Sequence, residues 1–451
     1  MSENSKSRGF AVMAKPVGSV CNLRCRYCYY LDAPQRTGDE SQGPVFGKET
    51  ARAGDDSRGA ASGETLSGAG EIRRSVLMDD ETLETYVRQH FEGNPGPVVQ
   101  FNWHGGEPTI AGLDFYRKAV ELQKKYCPAG VQCWNNIQTN GVLLNDEWCR
   151  FIAENHFDVG LSIDGIERVH DKYRRTAGDE GSFRYAKEAC ERLMKAGVKP
   201  DLLCTVTMET AKNADAVYRG LKNLHTGWIQ FIPILVRVGL SEGEKPAISH
   251  AEGHTECAAD RFPEPEMTPE SVTPEAYGKF LCAVFDEWIS HDLGKTGVQF
   301  FMETLSLLSG RPSSLCMLQK QCGRVLVVEH DGSVYSCDHF VDKAHFLGNI
   351  HEKTLSEMAD SAFQEQFGKD KEESLPGRCR NCRYLSLCRG NCPKDRFSPD
   401  GSYYLCKGLK SFYDHAVPML QKVLEMNRKK VPAGTIMASM RSELKKKRIR
   451  C

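Results

Sequence analysis

Apolar residues follow two rhythms along this chain. Short apolar runs alternate with stretches in which apolar positions return every three or four residues, the pattern of βα units on a parallel sheet. Six runs read as strands: Ala11 to Val17, Val98 to His104, Cys133 to Thr139, Phe157 to Ile163, Lys199 to Thr207 and Trp228 to Ile234. Between the fourth and fifth, Phe183 to Ala196 puts Phe183, Ala186, Ala189, Cys190 and Leu193 on one helical face, with Gly197 placed as a C-cap. Six units, short of the eight of a closed barrel, predict an α/β fold built as an open, partial (β/α)6 barrel. Active residues are then expected at the C-terminal ends of its strands.

Two stretches break the rhythm. Gln35 to Ser75 is rich in Gly, Ser, Asp, Glu and Arg with almost no apolar periodicity and reads as a mobile surface insertion. Ser241 to Pro274, rich in Glu, Pro and Ser, separates the barrel from the C-terminal part of the chain. After it, Ala276 to His291 is an amphipathic helix with Phe280, Val284 and Trp288 on one face, read as a bridge between the two halves. The expected division is a barrel over 1–240, a linker and bridging helix over 241–310, a cysteine-rich domain over 311–410 and a helical tail over 411–451. A chain of 451 residues is too long for one ordinary core, which fits such a division.

Composition narrows the class. A net charge of −1 gives no sign of nucleic-acid binding, and the basic run Lys445 to Arg450 reads as a solvated helix end. No apolar run approaches the roughly 20 residues of a membrane span. The polar start, Met1 to Arg8, carries no secretory signal, so a cytoplasmic protein is expected. Nineteen cysteines in such a chain point to metal or redox work rather than to disulfides.

Three of those cysteines, Cys21, Cys25 and Cys28, stand in a CxxxCxxC arrangement. Three thiolates leave a 4Fe-4S cluster with one open iron, where an amine and a carboxylate can chelate. A zinc knuckle is the alternative, but zinc cysteines usually come as two separated CxxC hooks. The triplet, with the aromatic Tyr27 before its third cysteine, resembles the signature of radical S-adenosylmethionine (SAM) enzymes. In that family one electron from the cluster cleaves the cofactor into methionine and a 5'-deoxyadenosyl radical. The resemblance extends to the strand ends. His104-Gly105-Gly106-Glu107-Pro108 matches the family's GGEP motif, implying that Gly105, Gly106 and Glu107 serve the cofactor's amino group. Asn140 in Gln138-Thr139-Asn140-Gly141, and Ser162 and Asp164 in Ser162-Ile163-Asp164-Gly165, are placed to hold ribose hydroxyls. Arg174 suits the cofactor's carboxylate, because a guanidinium pairs with it bidentately. Leu235, past the sixth strand, is an apolar contact for adenine.

Eight further cysteines lie beyond the barrel: Cys316, Cys322, Cys337, Cys379, Cys382, Cys388, Cys392 and Cys406. They make two complete four-thiolate sites, a count that two zinc ions would also satisfy. Their spacing resembles the SPASM domain. That resemblance implies one auxiliary 4Fe-4S cluster on Cys316, Cys322, Cys337 and Cys392 and a second on Cys379, Cys382, Cys388 and Cys406, giving three clusters in all. Fully ligated clusters would serve electron transfer or structure. The other eight cysteines, Cys127, Cys133, Cys149, Cys190, Cys204, Cys257, Cys282 and Cys451, are most simply small hydrophobes.

Asp338 directly follows Cys337. A carboxylate there could deprotonate a substrate thiol or hydroxyl, although Asp is also common in solvated turns. The Cys-Asp pair, the GGEP loop, Tyr29-Tyr30, Lys279-Phe280-Leu281 and Phe285-Asp286-Glu287-Trp288 together resemble the anaerobic sulfatase-maturating enzymes. The activity implied is oxidation, without oxygen, of a Cys or Ser in an unfolded sulfatase polypeptide to Cα-formylglycine. In it the radical takes a β-hydrogen and Asp338 the thiol or hydroxyl proton. The substrate motif implied is Cys/Ser-x-Ala/Pro-x-Arg, and the electron donor a flavodoxin or ferredoxin. Two rivals stand beside this reading. One is another SPASM peptide modifier, such as a thioether-forming maturase, which commonly carries an added N-terminal leader-binding domain where this chain has ten residues before its first strand. The other is a non-catalytic metal-binding protein.

Overall fold

All six expected runs form strands: β1 (Ala11–Ala14), β2 (Val98–Trp103), β3 (Gln132–Thr139), β4 (Phe157–Ser162), β5 (Asp201–Val206) and β6 (Trp228–Pro233). Four more complete the set: β7 (Gly297–Val298), β8 (Val325–Val328), β9 (Ser333–Tyr335) and β10 (Phe346–Asn349). At two to four residues each, these are too short for alternation to distinguish them from loops. The computed structural model describes residues 9–28, 30, 76–238 and 265–450. The insertion Gln35 to Ser75, the part of the second loose stretch before residue 265, Tyr29, Cys257 and Cys451 lie outside them.

The chain divides into two units. The first comprises residues 1–160, 170–198 and 324–361. Its strands run in the order β10-β9-β8-β1-β2-β3-β4. The pairs β8 with β1, β1 with β2, and β2 with β3 are parallel, whereas β9 lies antiparallel to both β8 and β10. Helices α1 (Asp80–Glu92), α2 (Leu113–Tyr126), α3 (Asp146–Glu154) and α4 (Phe183–Lys195) belong to this unit. Asp79 caps α1 by accepting from the Thr82 amide at 2.8 Å. On α4, Ala186, Ala189, Cys190 and Leu193 are buried as expected, and Gly197 takes the positive φ of 84° that a helix exit of this kind needs. Tyr86, Trp103 and Tyr116 meet edge to face at 5.5–5.8 Å and centre the apolar core.

The second unit comprises residues 161–169, 199–323 and 362–451, with β5, β6 and β7 parallel to one another. Here α5 (Pro274–His291) starts two residues before the expected helix, because Pro274 occupies the first turn and Thr273 caps it. Phe280, Val284 and Trp288 are buried as the sequence pattern requires. This unit also contains α6 (Ala362–Glu373) and α7 (Cys406–Arg428), the latter packed along α5. Gly278 and Gly408 permit that packing, since a Cβ on Gly408 would stand 1.9 Å from the Pro274 carbonyl oxygen. Among the described residues no helix is long and apolar enough to cross a membrane.

Candidate active site

Strand register explains how the first unit gathers its polar side chains. Ala14 at the end of β1 is paired with Trp103 on one side and Val328 on the other, and Trp103 is paired with Ile137. The next residues on these four strands, Lys15, His104, Glu329 and Gln138, therefore emerge side by side. Backbone bonds continue the ladder, from the His104 amide to the Ala14 carbonyl at 2.9 Å and from the Lys15 amide to the Val328 carbonyl at 2.8 Å.

The Lys15 ammonium, 1% exposed, lies 3.0 Å from Glu329 Oε1 and 2.9 Å from Asp338 Oδ1. Tyr30 donates its hydroxyl to Asp338 Oδ1 at 3.1 Å and lies 3.4 Å from His104 Nδ1. His104 Nε2 in turn meets Gln138 Oε1 at 2.8 Å. Burial works to raise the Asp338 carboxyl, but Lys15, His104 and His339 outweigh it and hold Asp338 far below the usual carboxylate range. Burial pushes Glu329 up, with Asp338 adding to the rise against the pull of Lys15. Burial would lower Lys15, yet its two carboxylates keep it raised. Burial lowers His104, against the opposing pull of Asp338. Asp338 is thus an enclosed anion, ready as a proton acceptor but weakened in basicity by its ion pair. Of this group only Asp338 was expected; the paired Lys15 and Glu329 had one visible signal, a charged residue immediately after an apolar strand.

The three-cysteine loop lies at the same strand ends. The Gly106 amide donates to the Gly18 carbonyl at 2.9 Å and the Glu107 amide to the Val20 carbonyl at 2.8 Å, tying the loop before Cys21 to the end of β2. Both glycines are required by this close approach: a Cβ would stand 2.6 Å from the Gly18 oxygen at Gly105 and 2.1 Å from the Val20 oxygen at Gly106. The Glu107 carboxylate accepts from the Thr109 amide and hydroxyl, the Thr139 hydroxyl and the Asn140 amide, at 2.6 to 3.1 Å. Burial nevertheless pushes it up. Asn140 Nδ2 reaches Asn22 Oδ1 at 2.8 Å and Cys21 Sγ at 3.8 Å. Arg174 lies over the Tyr27 ring at 5.6 Å, and Tyr173 packs against the same ring. Gly105, Gly106, Glu107, Asn140, Tyr27 and Arg174 are all in the first unit with the triplet.

Ser162, Asp164 and Leu235 belong to the second unit. Asp164 is buried and accepts from the Thr205 amide at 2.8 Å, and Leu235 is half-buried just beyond β6.

The triplet's surroundings fit a thiolate-held cluster. Burial pushes the Cys21 thiol well above its usual range, with Glu107, Cys25 and Cys28 adding to the rise, and a bound metal would supply positive charge that favours the thiolate. Beside it, Ser19 Oγ and Asn22 Nδ2 are buried without hydrogen-bond partners among the described residues, as expected of groups that face a ligand.

In the second unit one pocket is lined by Cys379, Cys382, Cys388 and Cys406, together with Gly390 and Tyr413. Burial pushes Cys388 up to about 12 and raises Cys379 and Cys406 as well. Cys316, Cys322 and Cys392 are in this unit, whereas Cys337 is in the first. Among the described residues no three His, Cys, Asp or Glu side chains converge closely enough to hold a single metal ion.

Comparison with known proteins agrees with this arrangement. Residues 16–217 match the Radical SAM superfamily and residues 316–383 match SPASM, an iron-sulfur cluster-binding domain. A serine-type anaerobic sulfatase-maturating enzyme of Bacteroides thetaiotaomicron is 37% identical over 440 residues, 96% of each chain. A cysteine-type enzyme of Clostridium novyi is 30% identical over 92% of this chain and 97% of its own. Among solved structures, native anSMEcpe with bound AdoMet and Cp18Cys peptide matches with a TM-score of 0.73 at 29% identity, over 92% of this chain and 99% of that one. Fold and site thus define a radical SAM enzyme with an iron-sulfur cluster-binding domain. Within that class, the chain belongs to the anaerobic sulfatase-maturating enzymes.

Proposed function

We propose that this protein oxidises one Cys or Ser of an unfolded sulfatase polypeptide to Cα-formylglycine without oxygen. The observation that carries the reading is the anionic Asp338, its side chain 11% exposed, held at the strand ends by Lys15 and Tyr30 in the unit that contains the three-cysteine loop. Near full-length similarity to both serine-type and cysteine-type relatives supports it.

In this reading Cys21, Cys25 and Cys28 hold a 4Fe-4S cluster. Gly105, Gly106, Glu107, Asn140, Tyr27, Arg174, Ser162, Asp164 and Leu235 serve SAM. When bound, cluster and cofactor supply 5'-deoxyadenosyl radical chemistry for removing a hydrogen atom from the target's β-carbon. Asp338 receives the thiol or hydroxyl proton. Lys15 keeps it ionised beforehand, and Tyr30, donating to the same oxygen, fixes its direction. His104, bonded to Gln138, extends the chain of hydrogen-bonding groups beyond Tyr30. The remaining ligand set is Cys316, Cys322, Cys337 and Cys392 for one auxiliary cluster and Cys379, Cys382, Cys388 and Cys406 for another, three clusters in all. The domain division at 240, 310 and 410, a flavodoxin or ferredoxin donor and a cytoplasmic location complete the proposal, the last because a reducing compartment suits nineteen cysteines.

The test is anaerobic incubation with SAM, a reductant and a peptide bearing Cys/Ser-x-Ala/Pro-x-Arg, read by mass spectrometry. An aldehyde at the target residue with matching 5'-deoxyadenosine is expected. A thioether cross-link, or cofactor cleavage that leaves the peptide unchanged, contradicts the assignment.

A further inference from the structure

The second unit holds two neighbouring cations, Lys371 buried and Arg396 half-buried, with no carboxylate beside them among the described residues. Lys371 on α6 is fully enclosed and spends its three ammonium protons on the carbonyl oxygens of Cys316, Met317 and Gln319, at 2.6, 2.9 and 2.6 Å. Arg396 donates to the carbonyls of Gly390 at 2.8 Å, Arg389 at 3.2 Å and Asn391 at 3.3 Å, and to the Ser374 hydroxyl at 3.1 Å. A further bond, from Arg396 Nη1 to the Lys371 carbonyl at 2.6 Å, joins the two residues. Among the described residues, neither has a carboxylate within ion-pairing distance.

Two adjacent charges of one sign, one of them buried, are costly unless negative charge is close by. Metal-bound thiolates would supply it: Lys371 bonds the Cys316 carbonyl, and Arg396 bonds the carbonyls of Arg389, Gly390 and Asn391, which lie between Cys388 and Cys392. The cations therefore touch both loops, one carrying Cys316 and the other running through Cys388 and Cys392, and they feel members of both expected ligand sets. A four-iron cluster bound by four thiolates has net negative charge, and accepting one electron makes it more negative still. A fixed cation favours the reduced form and raises the reduction potential.

We propose that Lys371 and Arg396 are positioning residues for electron transfer, a fixed cation pair that raises the reduction potentials of the auxiliary clusters. The inference rests on the ligand assignment above. In the balance of the reaction, the target loses one hydrogen atom to the deoxyadenosyl radical, one proton to Asp338 and one electron to an auxiliary cluster. The cation pair favours that last transfer and takes no part in the first two.

The experiment is a potentiometric titration of the full, cluster-loaded enzyme, monitored by electron paramagnetic resonance. The radical SAM cluster serves as the internal reference. Lys371→Met and Arg396→Gln remove charge, whereas Lys371→Arg and Arg396→Lys keep it. The expected result is a negative shift of auxiliary potentials in the neutral variants, little shift in the charge-conserving ones and an unmoved reference. Loss of iron in the neutral variants with full loading in the charge-conserving ones supports the same requirement for charge. Auxiliary potentials unchanged in a loaded neutral variant, or iron lost equally from all four, overturn the proposal. Wild-type protein lacking auxiliary cluster signals would instead remove the ligand assignment beneath it.

Discussion

The two cysteine-bearing regions handle buried charge in opposite ways. Around the N-terminal triplet every enclosed charge has a protein partner: Lys15 faces Glu329 and Asp338, and Glu107 is held by four hydrogen bonds. In the C-terminal region Lys371 and Arg396 have, among the described residues, only carbonyl and hydroxyl oxygens as hydrogen-bond partners. The first region pairs its buried lysine with carboxylates and holds an anion for chemistry. The second gives its cations no carboxylate among the described residues, and in the proposal above they are balanced by thiolates that metal binding ionises.

Breaking the first region at its ligands has the largest expected effect. Replacing Cys21, Cys25 and Cys28 together by Ala abolishes reductive cleavage of SAM, while iron analysis still finds the auxiliary clusters, because their ligands lie elsewhere in the chain. Iron falling to zero would show that all the clusters depend on one another for assembly. Next comes Lys15→Met, which leaves Asp338 and Glu329 buried with no cation. Breaking a buried pair of this kind costs about 3–5 kcal/mol, readable as a lowered denaturation midpoint. An unchanged midpoint would mean that water already screens the pair.

A matched pair of glycine variants sharpens the contrast between regions. Gly106→Ala forces a Cβ into the Val20 carbonyl beside the triplet, and Gly408→Ala forces one into the Pro274 carbonyl between α5 and α7. Each overpacking costs about 1–3 kcal/mol. Only the first should depress cofactor cleavage beyond what its stability loss explains. Equal loss of cleavage in both would dissolve the distinction. The smallest effect concerns acid. Buried His90, bonded to the Gln100 carbonyl, is pushed down to about 4, so the unfolded chain takes up its proton near pH 6.5 and the folded chain does not. Stability is therefore lost as pH falls from about 6.5 towards 4. In His90→Gln that decline should be shallower when denaturation midpoints are compared at pH 7 and pH 5, and an identical decline would remove His90 as a cause.

Much of the molecule was legible in the sequence. The βα rhythm located six strands within a few residues, and cysteine spacing marked the candidate ligands. What escaped depends on register between distant segments. Lys15 and Glu329 become neighbours only because β1 lies beside β8, and β8 has four residues, too few to announce itself. Nor does sequence show that the Gly105-Gly106 pair serves close packing against the loop before Cys21, a role visible only in the positions their missing Cβ atoms would take. Lys371, in a helix with other charged residues, looks like a solvated side chain until the carbonyls around it are known.

The most direct test of the account is product formation by Asp338→Asn. Asn keeps the volume and a hydrogen-bonding oxygen but accepts no proton at neutral pH. The expected result is an enzyme with its clusters intact that still cleaves SAM, while formylglycine formation falls roughly 10²- to 10⁴-fold, as for loss of a positioned base. Aldehyde formed at near the wild-type rate by this variant would contradict the account.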